Sequence, residues 1–311
     1  MNGQEQIAEQ FSDIVGLWRV QTNFPLKQLT TFRVGGPAAY VVTPSSLDEL
    51  KKVLLLCREN GLKTLILGNG SNILASDEGF QGVVIHLDAE FCKVRIQTCI
   101  VEAECGISLS ALAKRVAEKG LSGLEFASGI PGSLGGAVYM NAGAYGSEMK
   151  DILLEVTILD ALGNVRRLDK AELQMGYRTS IFQYKSWTLL SVILQLEEST
   201  PEKVKATMQD LARQRNAKQP MDMPSAGSIF KRPEGHYAGT LIEQAGLKGY
   251  QIGGAMVSPK HAGFIVNTGE ATCQDVINLI RHIQAVVKEK SGVQLEPEVR
   301  YLTPRGFDVI R

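Results

Sequence analysis

Short apolar runs on either side of an amphipathic stretch predict strands and a helix in the first third of the chain. Three such runs, bounded by turn-forming residues, lie at 41–42, 64–67 and 83–85. Between the first two, Ser46 and Glu49 have the spacing of a capping box, which predicts a helix that ends near Glu59. This order of strand, helix and strand favours an α/β or α+β fold with ligand loops at strand ends.

The same patterns continue through the rest of the chain. Further strands are predicted at 101–103, 153–159, 165–168 and 187–196. Apolar residues at helical spacing predict helices over 109–116, 201–215 and from about Thr272 to just before Gly292. The segment 219–224 breaks this periodicity with two prolines, so we expect a domain boundary there.

Two glycine-rich stretches are candidates for binding a phosphate. Glycine accounts for 31 of the 311 residues, above the usual share of about 7%. The first stretch, 68–72, has two glycines of a G-x-G-x-x-G motif, but Ile73 occupies the third position, so the Rossmann fingerprint fails. It fits either an ordinary tight turn or an anion-binding nest of N–H groups.

The second stretch, 128–137, is followed by Asn141-Ala142-Gly143 and offers few side chains for a core. It fits either a set of turns or a loop whose backbone can approach a bound pyrophosphate closely. Neither stretch is followed by a Walker lysine. Taken together, the two loops suggest a dinucleotide bound outside a Rossmann fold, with FAD as the natural candidate.

Three further segments carry polar groups whose chemistry is ambiguous. Ser228 lies near Lys231 and Arg232, which fits either a proton donor in a site that stabilises a carbanion or a surface turn. Arg178 could hold a carboxylate bidentately or lie on the surface. The segment 296–300 by itself is typical of a solvated edge strand. The four histidines lack metal-ligand spacing and are interpreted as structural or surface groups, so no metal site is expected.

Charge and composition exclude several classes of protein. Lys plus Arg and Asp plus Glu both number 33, so no basic surplus is present to neutralise nucleic-acid phosphates, and no nucleic-acid partner is expected. No run approaches the roughly 20 apolar residues that span a bilayer, and we expect a cytoplasmic protein with no membrane partner. The five cysteines form no C-x-x-C pair and are interpreted as small buried hydrophobes.

Several motifs, in this order, resemble those of the UDP-N-acetylenolpyruvoylglucosamine reductase (MurB) family of bacterial peptidoglycan synthesis. The resemblance runs from about residue 22 to 302 and covers Thr31-Phe32-Arg33-Val34-Gly35-Gly36, the two glycine-rich stretches, Asn141-Ala142-Gly143, Tyr177-Arg178, Gly227-Ser228-Ile229-Phe230-Lys231 and Glu296-Pro297-Glu298-Val299-Arg300. It implies the shorter form of the family, without the added loop that brings a tyrosine over the substrate.

The resemblance implies an α+β fold with a two-lobed FAD-binding portion of the vanillyl-alcohol-oxidase (PCMH) type and a smaller α+β substrate domain. The expected division is an N-terminal extension over 1–21, the FAD-binding portion over 22–215 with lobes at about 22–87 and 88–215, the substrate domain over 216–295, and a C-terminal strand over 296–311 that carries Glu298.

The resemblance also implies the roles of individual residues. The implied catalytic residues are Ser228, Arg178 and Glu298. The implied residues for non-covalent FAD binding are Gly68, Asn69, Gly70, Ser71, Asn72, Gly129, Ile130, Gly132, Ser133, Gly136, Asn141, Gly143 and Arg215. The implied substrate-binding residues are Tyr177, Lys218, Lys231 and Arg232.

The implied reaction is the reduction of an enolpyruvyl sugar nucleotide, with NADPH as co-substrate. Arg178 would stabilise the developing enolate, a protonated Glu298 would donate a hydrogen bond to it, and Ser228 would deliver the proton to C2. Two other readings stay open: a nucleotide-sugar binding protein without redox chemistry, and an FAD oxidase of the same superfamily. Such oxidases often tether FAD through His or Cys, and neither glycine-rich loop contains one.

Overall fold

Residues 3–310 are described by the computed structural model of the chain. Residues 1, 2 and 311, at the outer ends of the expected N-terminal extension and C-terminal strand, lie outside the described residues. The helices are α1 Gly3–Val15, α2 Leu47–Glu59, α3 Leu109–Glu118, α4 Leu134–Met140, α5 Met149–Ile152, α6 Pro201–Lys218, α7 Ala238–Gln244 and α8 Cys273–Ser291. The strands are β1 Val20–Pro25, β2 Pro37–Val42, β3 Thr64–Leu67, β4 Ile73–Ala75, β5 Phe80–His86, β6 Val94–Gln97, β7 Ile100–Glu104, β8 Leu121–Ser122, β9 Gly143–Ala144, β10 Ser147–Glu148, β11 Leu153–Leu159, β12 Val165–Asp169, β13 Thr188–Gln195, β14 Glu197–Glu198, β15 Ser225–Ser228, β16 Gln251–Ile252, β17 Ala255–Val257, β18 Phe264–Asn267, β19 Arg300–Thr303 and β20 Gly306–Asp308.

The first lobe is built on a sheet with the strand order β1-β2-β5-β3, in which β2 and β3 run parallel to β5. Ser46 caps α2 as predicted, because its hydroxyl accepts a hydrogen bond from the Glu49 N–H at 3.2 Å. The predicted capping box is wrong. The Glu49 carboxylate accepts from the Ser45 N–H at 2.7 Å and pairs with Arg19 at 2.7 Å, which joins α2 to the start of β1.

The N-terminal residues belong to this lobe and are not a separate extension. Phe11 and Val15 on α1 are fully buried in the core that also holds Tyr40. The rings of Phe11 and Tyr40 meet edge to face with centroids 5.6 Å apart. The expected boundary after residue 21 also falls inside β1. The apolar face of α1 therefore supplies part of the first lobe's core, which corrects the expectation for 1–21.

The second lobe is an antiparallel sheet in the order β12-β11-β13-β7-β6, with α3 and α4 packed in the same core. The predicted helical stripe on α3 is buried, as Leu109, Leu112 and Val116 show. The predicted hairpin between β11 and β12 is confirmed. Its turn is closed by Asp160, whose Oδ1 accepts from the N–H groups of Leu162 and Asn164 at 2.9 Å each.

The C-terminal part combines α7 and α8 with the sheet β15-β18-β17-β16. Helix α8 begins at the capping box of Thr272 and Asp275 and ends at Gly292, and its apolar stripe is buried as predicted. The core of this part also takes Phe32 and Leu74 from the first half of the chain. Its packing therefore extends beyond the expected range 216–295.

Two expected boundaries differ from the observed elements. The boundary after Arg215 lies inside α6, which continues to Lys218 because the break in periodicity begins only at Gln219. Glu298 lies two residues before β19 and so is not part of a strand. Strand β19 pairs in parallel with β4, with Arg300 opposite Ile73, and it brings the C-terminal segment to the first glycine-rich loop. The division of the chain into domains stays a prediction.

Candidate active site

A cavity of about 870 Å³ is lined by both lobes and the C-terminal part. It brings together most of the residues that the sequence singled out. These are Gly68, Asn69, Gly70, Ser71, Asn72, Ile130, Gly132, Ser133, Gly136, Gly143, Arg178, Arg215, Ser228 and Glu298. Residues up to 230 positions apart in the chain thus line one space, as a ligand that spans the two lobes requires.

The two glycine-rich loops are in direct contact. The Asn69 side chain donates a hydrogen bond to the Pro131 carbonyl at 3.1 Å. A Cβ at Gly68 would lie 2.1 Å from Ser133 Oγ, so only glycine fits where the first loop meets the second. The loops therefore form one continuous wall of the cavity.

This wall presents unused hydrogen-bond donors. The backbone N–H groups of 69–72, Gly132 and Ser133 have no hydrogen-bond partner among residues 3–310. Clustered N–H groups of this kind form concave sites for phosphate oxygens. This arrangement fits the anion-binding nest among the two readings of the loops.

Arg215 adds a positive charge beside this wall. Burial lowers the pKa of its guanidinium, and no carboxylate among the described residues lies within 4.0 Å of it. A Cβ at Gly129 would lie 3.0 Å from the Arg215 Cδ. Gly129 is outside the cavity lining and instead makes room for the arginine stem.

Arg178 is held at the tip of a tight turn. Gly176 and Thr179 exchange backbone hydrogen bonds at 3.1 and 3.3 Å across the turn. Arg178 takes φ of +56°, a left-handed conformation that costs a side chain about 1–2 kcal/mol. Its Nη2 donates to the Gly143 carbonyl at 3.2 Å and its Nε donates to Glu298 Oε1 at 2.7 Å. Such strain at the tip of a turn is typical of functional positions.

Glu298 is fixed by backbone contacts on two sides. Its N–H donates to the Ile229 carbonyl at 2.7 Å. Its carbonyl accepts from the Asn72 side chain at 3.2 Å. Asn72 thus belongs to the first glycine-rich loop and also holds the backbone of the acidic residue.

The pKa of Glu298 is raised above the usual value because burial disfavours its charged form. Arg178 and, more weakly, Lys231 act in the opposite direction without reversing the shift. Its side chain is 16% exposed and that of Arg178 is 20% exposed. The pair therefore holds a carboxyl group that is protonated more readily than an ordinary glutamate.

Ser228 lies at the end of β15, where a register shift between Ser225 and Ser228 interrupts the pairing with β18. Its hydroxyl donates to the Phe230 carbonyl at 3.2 Å. The Ser228 side chain lines the same cavity as Glu298 and Arg178. A hydroxyl, a carboxyl group and a guanidinium therefore share one cavity.

The sequence predicted Asn141 as a cofactor-binding residue, and the structure places its side chain in a buried hydrogen-bond network. Its side chain is fully buried and bonds to Glu148 at 2.7 Å and to the Gly176 carbonyl at 2.9 Å, and it accepts from the Lys150 N–H at 2.9 Å. Asn141 ends α4 at φ of +43°. It positions the turn that carries Arg178 and does not line the cavity.

The four predicted substrate-binding residues lie outside the cavity lining. The Tyr177 hydroxyl accepts from the Arg232 N–H at 3.1 Å, and the Arg232 guanidinium lies 4.1 Å from the centre of the Tyr237 ring. Lys231 pairs with Glu296 at 2.5 Å. Lys218 is exposed at the end of α6. Tyr177, Lys231 and Arg232 thus belong to one polar surface group.

The sequence reasoning missed several lining residues. His261, interpreted as structural or surface, lines the cavity, and its Nδ1 accepts from the Gly263 N–H at 3.1 Å. Burial lowers its pKa, so the ring is predominantly neutral. Tyr139, Gln219 and Arg300 also went unassigned. Of these, Arg300 could have been identified from the sequence, because it is the last residue of the motif 296–300 that was already singled out.

Neither a metal site nor a membrane-spanning helix is found among the described residues. Over residues 3–310, no group of three His, Cys, Asp or Glu side chains is close enough to hold a metal ion. None of the helices described for those residues has the length and apolar character needed to cross a membrane.

Two family models match the chain. Residues 219–302 match the C-terminal domain of UDP-N-acetylenolpyruvoylglucosamine reductase, and residues 38–169 match an FAD-binding domain. The first range contains Ser228 and Glu298, and the second contains both glycine-rich loops.

A solved structure far from this chain in sequence shares its fold. The 4-ethylphenol oxidase from Gulosibacter chungangensis matches with a TM-score of 0.50 and 16% identity over 96% of this chain and 65% of its own. With the match to the FAD-binding domain, this confirms the predicted α+β fold with an FAD-binding portion of the vanillyl-alcohol-oxidase type and a C-terminal domain.

Nearer relatives match over almost their whole length. The UDP-N-acetylenolpyruvoylglucosamine reductase of Caldanaerobacter subterraneus subsp. tengcongensis is 49% identical over 95% of this chain and 98% of its own. The crystal structure of the MurB enzyme from Thermus caldophilus matches with a TM-score of 0.78 and 38% identity over 91% of this chain and 97% of its own. The chain therefore belongs to the UDP-N-acetylenolpyruvoylglucosamine reductase family.

Proposed function

We propose that this protein uses NADPH and FAD to reduce the enolpyruvyl group of UDP-N-acetylglucosamine enolpyruvate to UDP-N-acetylmuramate, a precursor of peptidoglycan. One observation carries the proposal. The Arg178–Glu298 pair and Ser228 line the same cavity as the glycine-rich loops, so groups that can stabilise and protonate a carbanion share a space with a dinucleotide cradle.

The residues of the cradle fit FAD. The free N–H groups of 69–72 and of Gly132 and Ser133 would hold the diphosphate, with Arg215 supplying positive charge. Held there, FAD would supply the hydride-transfer chemistry that links NADPH to the enolpyruvyl carbon C3. A site that holds FAD in this way needs no covalent tether, in keeping with the absence of His and Cys from both loops.

Arg178 is proposed to stabilise negative charge that develops at C2 and in the adjoining carboxylate. Its guanidinium is fixed by the Gly143 carbonyl and by the turn at 176–179, so it does not reorient when the charge appears. A fixed cation in a site with little water stabilises such charge more strongly than water can. The strained φ of Arg178 is consistent with a role that requires its guanidinium to be held in one place.

Glu298 is proposed to act in its protonated form, as a hydrogen-bond donor to the enolate. Burial already raises its pKa, and a substrate that covers the site would exclude further water and raise the pKa more. Ser228 is proposed to deliver the proton to C2. Its hydroxyl, which donates to the Phe230 carbonyl, lines the same cavity as Glu298 and Arg178.

Tyr177, Lys231 and Arg232, with Lys218 on α6, are proposed to bind the uridine diphosphate. Three of them form the polar group beside the Arg178 turn, and Arg232 provides a cation at the surface. We further propose that the lobes at about 22–87 and 88–215 bind FAD and that 216–295 binds the substrate. We also propose a cytoplasmic location.

The reaction is tested by two half-reactions under anaerobic conditions. NADPH should bleach the absorbance of bound oxidised FAD, and later addition of the enolpyruvyl sugar nucleotide should restore it, because each step moves one hydride. Bleaching without recovery would contradict the assigned substrate. A protein that cannot be reconstituted with FAD would contradict the whole proposal.

Ser228→Ala is expected to slow reoxidation by the enolpyruvyl substrate by about a hundredfold or more, the usual loss when a positioned proton donor is removed. Bleaching by NADPH should stay within a few-fold of wild type, since hydride transfer to the flavin does not use the hydroxyl. Stopped-flow absorbance separates the two rates. Ser225→Ala, on the same strand, is the matched control. Equal losses in both half-reactions would exclude the proton-donor role.

The rate with the enolpyruvyl substrate should fall as pH rises through the pKa of Glu298, since only the protonated carboxyl group donates a hydrogen bond. Burial raises that pKa, so the fall lies above the range of about 4.3 typical of glutamate. Glu298→Gln should remove this dependence, because an amide donates at every pH. Glu296→Gln, whose partner is Lys231, should keep it. Persistence of the fall in Glu298→Gln would assign it to another group.

Gly68→Ala should weaken FAD binding at least tenfold, or about 1.4 kcal/mol, because the new methyl group collides with Ser133 and separates the two loops. Ser133→Gly removes the colliding atoms and should by itself have a small effect, since glycine is a tolerated helix cap. The double variant should recover much of the lost affinity, measured by fluorescence titration of FAD. Equal affinity of Gly68→Ala and wild type would show that the loops do not hold the cofactor.

A further inference from the structure

Arg300 is a second cation of the cavity that lacks a charged partner. Its side chain lines the cavity, and no carboxylate among residues 3–310 lies within 4.0 Å of its guanidinium. Its Nη1 donates to Gln183 Oε1 at 3.2 Å and its Nη2 donates to the Tyr139 hydroxyl at 3.3 Å. Both partners are neutral groups, so the hydrogen bonds fix the guanidinium without cancelling its charge.

These neutral partners are themselves held in place. The Gln183 amide donates to the Arg178 carbonyl at 3.0 Å, which leaves its oxygen directed at Arg300. Burial raises the pKa of Tyr139, so its phenol stays uncharged at neutral pH. Gln183 thereby connects Arg300 with the turn that carries Arg178.

The backbone places Arg300 at the junction of the cradle and the acidic residue. Its N–H donates to the Asn72 carbonyl at 2.9 Å, and the Asn72 side chain donates to the Glu298 carbonyl at 3.2 Å. A half-buried cation without a counter-charge loses hydration that a bound anion would replace. A bound negative charge would therefore be stabilised at Arg300 as well as at Arg215.

We propose that Arg300 stabilises the reduced form of bound FAD and so raises the reduction potential of the cofactor. The inference rests on the proposed function. Transfer of a hydride from NADPH leaves NADP⁺ and turns the neutral isoalloxazine into an anion, so a nearby cation favours the reduced state. The diphosphate keeps the same charge in both states and already faces the free N–H groups of the two loops.

Wild-type holoenzyme gives the first test. Its FAD should bind more tightly when reduced than when oxidised, so the bound potential, measured against a reference dye, should lie above that of free FAD. A bound potential below that of free FAD would overturn the proposal without the need for any variant.

Arg300→Gln should lower the ratio of reduced to oxidised affinity at least tenfold, which corresponds to about 30 mV for a two-electron couple. The affinity for oxidised FAD should change less than threefold. Arg300→Lys keeps the charge and should restore most of the potential, whereas a merely structural role would make it resemble Arg300→Gln. Arg300→Met provides a charge-free variant of different shape should the glutamine variant not fold.

Other outcomes count against the proposal. Weaker binding of oxidised FAD at an unchanged potential would place Arg300 on the diphosphate. No change in either quantity would leave it a structural role only. Turnover of the enolpyruvyl sugar nucleotide by wild type, measured in the same preparation, keeps failure of this inference separate from failure of the proposed function.

Discussion

The active site depends on keeping a carboxyl group out of water beside a fixed guanidinium. Glu298 and Arg178 are 120 positions apart and meet at 2.7 Å, so their contact requires the C-terminal segment and the second lobe to be in register. That register is set by backbone contacts. Glu298 bonds to Ile229 and Arg300 bonds to Asn72, which joins the segment to β15 on one side and to the first glycine-rich loop on the other. Displacement of the C-terminal segment would therefore disturb Glu298, the first glycine-rich loop and the strand that carries Ser228 at the same time.

The charges of the cavity are unbalanced in the protein itself. Arg215 and Arg300 have no carboxylate partner among the described residues, and six backbone N–H groups of the loops point to no acceptor there. Such groups are costly to bury without partners. A bound ligand with a diphosphate would supply negative charge here. The described residues thus leave electrostatic interactions that an anionic ligand can complete.

The sequence predicted features that are decided locally. The helix cap at Ser46, the start of the last long helix near Thr272 and the hairpin at 160–164 depend on residues within a few positions of each other. The glycine-rich loops were found because glycine is required where backbones approach closely. The fold type and the three proposed catalytic residues were predicted from the order of motifs, because no periodicity places Arg178 next to Glu298.

Other features depend on tertiary contacts that composition does not reveal. Asn141 resembles a ligand-binding asparagine in its motif, yet its buried amide completes the hydrogen bonds of neighbouring backbone. His261 has no spacing signal, because it enters the cavity through the turn before β18. Glu49 accepts from the Ser45 N–H and pairs with Arg19 instead of bonding to the Ser46 N–H, and no local spacing signals an ion pair between residues 30 positions apart.

The protonation state of Glu298 also governs what Arg178 can do. When Glu298 is ionised, its charge largely cancels that of the guanidinium at 2.7 Å. When burial keeps Glu298 protonated, the full charge of Arg178 is available to a substrate carboxylate, and the carboxyl group itself becomes a donor. A substrate carboxylate that binds near Arg178 repels ionised Glu298 and so favours proton uptake. Binding of the anionic substrate and formation of the protonated acid therefore reinforce each other through this single pair.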